Sequence, residues 1–225
     1  MSLQDRLDTL KADFEGGTLG FKPGPEVLDT MHRATAELIA SGQALNAKKA
    51  GDKAPGFMLK DPDGHLVSSG ELLAKGPLVI SFYRGVWCPF CNQELQALQA
   101  ASPQIEARGA RVVAISPQTM SNSRKSQRDN KLTFPILSDE KSRVAAAFGL
   151  RVSLPDYLVE LYKGFKNDLP AFNDDPAWVL PMPARYVVGN DGIIAYAEVN
   201  PDYTQRPDPS ELLPVLDRLR MTAAA

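Results

Sequence analysis

The chain carries two cysteines, Cys88 and Cys91, set three apart in the stretch Tyr83-Arg84-Gly85-Val86-Trp87-Cys88-Pro89-Phe90-Cys91. Two thiols at this spacing can cycle between dithiol and disulfide, supply half of a tetrahedral zinc site, or serve as small apolar core residues. A structural zinc site wants four ligands. The remaining soft candidates are His32, inside a predicted helix, and His65, in a predicted hairpin turn. No metal is therefore expected within one chain, although two chains could share four cysteines around a zinc. In a reducing compartment a lone CxxC points to redox or metal chemistry rather than to a structural staple.

The flanking pattern says where the thiols sit. Residues 77–83, Pro-Leu-Val-Ile-Ser-Phe-Tyr, are almost wholly apolar, as in a central strand covered on both faces. A helix is expected from about Cys88, because Cys91, Leu95, Leu98, Ser102 and Ile105 fall on one stripe. The pair thus lies where a strand hands over to a helix, outside the carboxyl end of the sheet, where sites collect in open α/β folds. Unpaired N–H groups and the positive helix end favour a thiolate there, with pKa values falling from ~8.5 to between ~3.5 and 7.5. The core-facing stripe makes Cys91 the more buried sulfur and leaves Cys88 at an exposed tip. Side chains three apart on a full helix have Cβ atoms ~5–6 Å apart, longer than the ~3.5–4.5 Å of a disulfide, so Cys88 must take a non-helical cap conformation for the bond to close.

The rest of the chain supplies the frame. Two helices are expected first, one through Leu3, Leu7 and Leu10 and one through Val27, Met31, Ala34 and Leu38, with a Gly/Pro-rich loop between. They form an N-terminal helical extension over residues 1–50. From Gly51 short β-type runs alternate with helices, which predicts an α/β layer structure over 51–225. Asp61-Pro62-Asp63-Gly64 and Asn190-Asp191-Gly192 mark two hairpins. Pro103 predicts a kink or restart in the long helix. Residues 151–182, with Tyr157, Tyr162, Phe165, Phe172 and Trp178, read as an insertion made of a short helix and an aromatic loop near the sheet edge, acting as lid, interface or core.

Composition narrows the classes. With 25 basic and 27 acidic residues the formal charge is −2, and the densest basic patch, Arg124, Lys125, Arg128 and Lys131, has no interleaved aromatics. No nucleic-acid partner is expected. No apolar run approaches the ~20 residues of a membrane span, and the amino terminus lacks a basic-then-apolar signal profile, so a cytoplasmic location is expected.

Residues 81–95, "SFYRGVWCPFCNQEL", together with "GDKAPGFMLKDPDGHLV" before and "PMPARYVVGNDGIIAY" after, resemble the peroxiredoxin-like branch of the alkyl hydroperoxide reductase and thiol-specific antioxidant family. The resemblance implies a thioredoxin-like fold, a central mixed sheet flanked by helices, and an antioxidant thiol oxidoreductase that reduces disulfides or peroxides. It implies no cofactor, but an external thiol reductant of the thioredoxin or glutathione type. Phe82, Tyr83, Cys91 and Glu94 match the family pattern. Arg84 stands in place of its Pro, Cys88 in place of its Thr, and Pro183 in place of its Arg, with Arg185 two residues late. These departures resemble thioredoxin, whose WCGPC parallels WCPFC and whose cis-proline parallels Pro183. On that likeness Cys88 attacks a disulfide, or less readily a peroxide, and Cys91 resolves it. Trp87 shields the site, Met182 and Pro183 hold substrate, and Arg84 stabilises the thiolate or an acidic group. The pure peroxiredoxin alignment reverses the cysteine roles. A redox sensor without turnover and a zinc-linked dimer are the rival readings, and a homodimer stays open.

Overall fold

The computed structural model describes residues 1–223. Helices α1 (Leu3–Gly16) and α2 (Pro25–Ala40) come first, as the leucine spacing predicts. Ser2 caps α1: its hydroxyl accepts from Asp5 N–H while the Asp5 carboxylate accepts from Ser2 N–H, so two of the orphan amides of the first turn are satisfied. A seven-stranded mixed sheet follows, built from β1 (Met58–Lys60), β2 (Leu66–Ser68), β3 (Leu78–Phe82), β4 (Arg111–Ser116), β5 (Ile136–Ser138), β8 (Ala184–Val188) and β9 (Ile194–Val199) in the order β2-β1-β5-β4-β3-β8-β9. Strands β3, β4 and β5 are parallel, and β8 and β9 close the other side antiparallel. The helices of this layer are α3 (Ser69–Leu73), α4 (Pro89–Glu106), α5 (Met120–Asp129), α6 (Arg143–Ala147) and α9 (Leu212–Ala223).

Alternation along the central strands sends their side chains into two cores. Leu78, Ile80 and Phe82 of β3 join Val113, Ile115, Phe148 and Tyr186 on one face. Val79 joins Val112, Val187, Leu95, Leu98 and Ile105 under α4 and α9 on the other. Leu3 and Leu7 complete this second core, both buried, so α1 docks on α4. The docking is fastened near the other chain end: Leu3 N–H donates to the Asp208 carboxylate at 3.1 Å, Gln4 Nε2 to the Thr204 carbonyl at 3.4 Å, and Arg206 N–H to Gln4 Oε1 at 2.8 Å.

Two expectations are corrected. Pro103 does not restart α4, which runs unbroken through it. The carbonyl of Gln99, which a residue-103 amide would have bonded, instead accepts from the Ser102 hydroxyl at 3.0 Å. The segment 151–182 is more ordered than a helix and a loop. It contains a two-stranded sheet, β6 (Arg151–Ser153) with β7 (Val179–Pro181), and two helices, α7 (Asp156–Gly164) and α8 (Leu169–Asn173). Three-residue strands are too short to show a period, and Pro170 resembles a loop signal although it sits in the first turn of α8, whose cap is Asp168.

Candidate active site

Strand β3 ends at Phe82, and the chain turns through Gly85 before Cys88 caps α4. Gly85 is required: its φ is +152°, and a Cβ would lie 2.6 Å from Trp87 Nε1. Gln118, fully buried behind the turn, holds it in place. Its Oε1 accepts from Val86 N–H at 2.9 Å, and its Nε2 donates to the Tyr83 hydroxyl at 2.6 Å. Asn92 Nδ2 adds a bond to the Val86 carbonyl at 2.9 Å. Pro89 occupies the first turn, where no N–H is needed.

Cys88 has φ −91° and ψ 109°, the extended cap conformation that closure of a disulfide demands. The two cysteines are 2.9 Å apart and both thiols are free. Their environments divide them. Burial raises the Cys88 pKa, but the hydrogen bond from the Cys91 thiol and the nearby charge of Arg84 outweigh it and bring it to about 6. Cys91 is pushed up by burial, by its hydrogen bond to Cys88 and by the Cys88 charge. The pair is therefore one thiolate, on Cys88, hydrogen-bonded by one thiol, on Cys91.

Cys88 does not stand at an exposed tip as its place at the helix start predicts: it is 1% exposed and Cys91 0%. What covers them is the extension and the insertion. A cavity of about 130 Å³ reaches Cys88, walled by Leu10 and Phe14 of α1, Met31 of α2 and Tyr162 of α7. A protein disulfide cannot approach a sulfur so enclosed, whereas a small peroxide fits such a space. The same burial removes the sulfurs from reach of a metal shared between two chains.

Arg84 is buried rather than a surface partner. Its Nη2 donates to the Tyr162 hydroxyl, and its guanidinium lies 4.1 Å from the ring centre of Tyr203 and 4.9 Å from that of Trp87. Burial disfavours its charge, yet Tyr162 and the Cys88 thiol hold its pKa above the usual value. Trp87 packs edge-on against Tyr162 at 5.6 Å and lines the thiol cavity.

Met182 and Pro183 are not on the lining of the thiol cavity. They line a separate, larger cavity that also touches Arg84. No peptide bond among the described residues is cis, Pro183 included. The Met182 amide is already used, donating to the Leu150 carbonyl at 2.8 Å, because this segment pairs as the margin of the β6–β7 sheet. It cannot align a substrate backbone in the thioredoxin manner.

Below the thiols lies a group that the cysteine spacing does not announce. Glu94, one turn after Cys91, accepts from Arg185 Nη2 at 3.0 Å and from Arg206 Nε at 2.6 Å, with all three side chains at most 2% exposed. Burial raises the Glu94 pKa, but the two guanidinium groups overcome it and keep the carboxylate ionised. Removing one partner from such a set leaves an uncompensated buried charge, typically ~3–5 kcal/mol. Arg206 also lies close enough to the thiols to favour their anions. Arg185 thus serves Glu94, while Arg84 and Arg206 supply the positive charge at the sulfurs. Arg206, Tyr162 and Tyr203 escape a reading by spacing because each is far from the CxxC along the chain; the one signal in reach is Glu94, a buried carboxylate needing partners.

The histidines have no part in this site. His32 pairs with Glu15 at 2.9 Å and His65 with Asp61 at 3.2 Å.

Comparison with known proteins adds an independent line. The sequence profile of the AhpC/TSA family matches residues 50–197. The chain is 31% identical over 104 residues to the chloroplastic peroxiredoxin Q of Oryza sativa subsp. japonica, covering 46% of this chain and 48% of that one. It is 30% identical over 106 residues to a putative peroxiredoxin of Mycobacterium tuberculosis, covering 47% and 69%. The match spans about half the length of the plant relatives. Among solved structures, the peroxidoxin BcpB of Mycobacterium tuberculosis superposes with a TM-score of 0.60 at 22% identity, over 76% of this chain and 97% of that one. A cysteine-to-serine mutant of the PrxQ of Xylella fastidiosa does so with 0.57 at 18% identity, over 77% and 96%. At these identities the structures establish the fold, and the thioredoxin-like expectation holds.

Proposed function

This chain belongs to the AhpC/TSA family, and from that premise we propose that it is a thiol-dependent peroxidase that cycles Cys88 and Cys91 between dithiol and disulfide. The observation that carries the proposal is the free pair itself: a thiolate and a thiol 2.9 Å apart at the start of α4, with Arg84 beside the thiolate.

The steps follow from that geometry. The Cys88 thiolate attacks one oxygen of a hydroperoxide, forming S–O as O–O breaks. The departing oxygen takes a proton, for which the Cys91 thiol is the adjacent donor, and leaves as water or an alcohol. Cys91, now a thiolate, attacks the Cys88 sulfenic acid. The S–S bond forms and the hydroxyl leaves as water with a proton from solvent. An external thiol reductant returns two electrons to the disulfide. Arg84 and Arg206 favour the thiolates throughout, and the closed pocket excludes bulky disulfides. No metal or organic cofactor enters these steps. The location proposed is a reducing one, the cytoplasm, where thiols would regenerate the pair. No helix among the described residues is long and apolar enough to cross a membrane.

A second reading exchanges the sulfurs, with Cys91 oxidised and Cys88 resolving. It is favoured by the position of Cys91 one turn before Glu94 and beside Arg206. A single-turnover comparison of Cys88→Ser and Cys91→Ser with hydrogen peroxide, trapping sulfenic acid for mass spectrometry, separates the two. Rapid trapping only in Cys91→Ser supports attack by Cys88. Rapid trapping only in Cys88→Ser assigns it to Cys91, and no oxidation of either variant or of the wild type removes the peroxidase reading.

A further inference from the structure

The larger cavity is not explained by peroxide chemistry. It measures about 380 Å³ and lies between α2, α7 and the β6–β7 sheet, with Leu38, Val152, Leu154, Leu158, Leu180 and Met182 on its walls. That volume is in the range of sites for small organic ligands, ~300–1,000 Å³. Cys88 is not on its lining; Arg84, Tyr162 and Tyr203 are, and the same three residues also line the smaller cavity at Cys88.

Arg84 is what gives this cavity a polar end. It is 6% exposed, it is charged, and among the described residues it has no carboxylate partner. Around it lie the Tyr162 hydroxyl to which it donates and three aromatic rings, those of Trp87, Tyr162 and Tyr203, and its charge acts on the Cys88 sulfur. A guanidinium with five donors, buried at the junction of two cavities, has donors left for an anion, and a bidentate carboxylate matches its fork. The one acidic residue on the cavity lining, Glu37, is already held by Arg33 Nε at 2.8 Å and by the Tyr157 hydroxyl, so its charge is engaged at the α2–α7 rim.

We propose that this cavity binds an aliphatic monocarboxylate of medium chain length, its tail among the leucines of α2, α7 and β7 and its carboxylate on Arg84. The site goes beyond the peroxidase reading and does not depend on turnover. Its consequence for that reading is regulatory: a carboxylate on Arg84 shares the charge that stabilises the Cys88 thiolate, so the bound acid lowers the reactivity of Cys88.

The test is titration calorimetry of the full chain with octanoate at neutral pH, alongside octanol, which has the tail without the charge. Two variants accompany it: Arg84→Gln, which removes the charge, and Leu38→Trp, which fills the cavity from α2 at a distance from the thiols. Octanoate binds the wild type, octanol binds at least about tenfold more weakly because a charge-assisted bond is absent, and each variant weakens octanoate by a similar factor. Absence of octanoate binding, equal affinity for octanoate and octanol, or octanoate affinity unchanged in both variants overturns the proposal. Heat of binding is read without turnover, so a chain that binds octanoate but reduces no peroxide supports this site while removing the peroxidase reading.

Discussion

The Cys88 thiolate is favoured first by the hydrogen bond from Cys91 and then by the charge of Arg84. Of the two guanidinium groups that act on Cys88, Arg84 lowers its pKa more than Arg206 does. Because the Cys88 pKa stands at about 6, its thiolate forms as pH rises through that value. Alkylation of Cys88 by iodoacetamide, followed by peptide mass spectrometry, should therefore rise around pH 6 and level off by neutrality. Arg84→Gln removes the lowering charge and should move this midpoint upward; a midpoint that stays in place would show that Arg84 does not act on the sulfur. Lys at the same position keeps a charge but not the planar fork that stacks on Trp87 and Tyr203, so Arg84→Lys should recover only part of the shift.

At the scale of elements, the turn from β3 to α4 is the piece whose exact path the chemistry needs. Gly85→Ala would force a side chain into a positive φ and against Trp87, a strain of about 1–3 kcal/mol. The expected result is a loss of that order in urea unfolding, with a changed Trp87 environment in fluorescence and faster Cys88 alkylation as the shield moves. Unchanged fluorescence and alkylation would mean that Trp87 does not seal the site. This turn, its flanking strand and its helix were legible in the sequence because apolar runs, cysteine spacing and Pro89 all lie within one stretch of chain. The fold class and both amino-terminal helices were legible for the same local reason. The cover was not. Tyr162 meets Arg84 across 78 positions, and Arg206 meets Glu94 across 112, and no periodicity encodes such a meeting. The thioredoxin likeness of Pro183 misled because neighbouring strands, not the proline, decide what the Met182 amide binds.

For the molecule as a whole, stability should carry the mark of Glu198. Burial, and then the negative charge of Glu94, raise its pKa from 4.5 to about 7. In the folded protein it keeps its proton up to about pH 7, while in the unfolded chain it loses it near 4.5. The folded state thus holds more protons between these values, and this group's contribution to stability falls as pH rises across the window. Glu198→Gln should flatten that part of the profile in urea unfolding measured from about pH 4.5 to about 7.5; an identical slope in the variant would show that Glu198 is not its source. The closing of the site by α1 together with residues 203–208 sets an order on its making. Arg206, Asp208 and Tyr203 are synthesised after α1, both cysteines and Glu94. Until they arrive α1 lacks its distal fastenings and Glu94 one of its two cations, so on a nascent chain the cysteines stay open to reagents that the finished protein excludes.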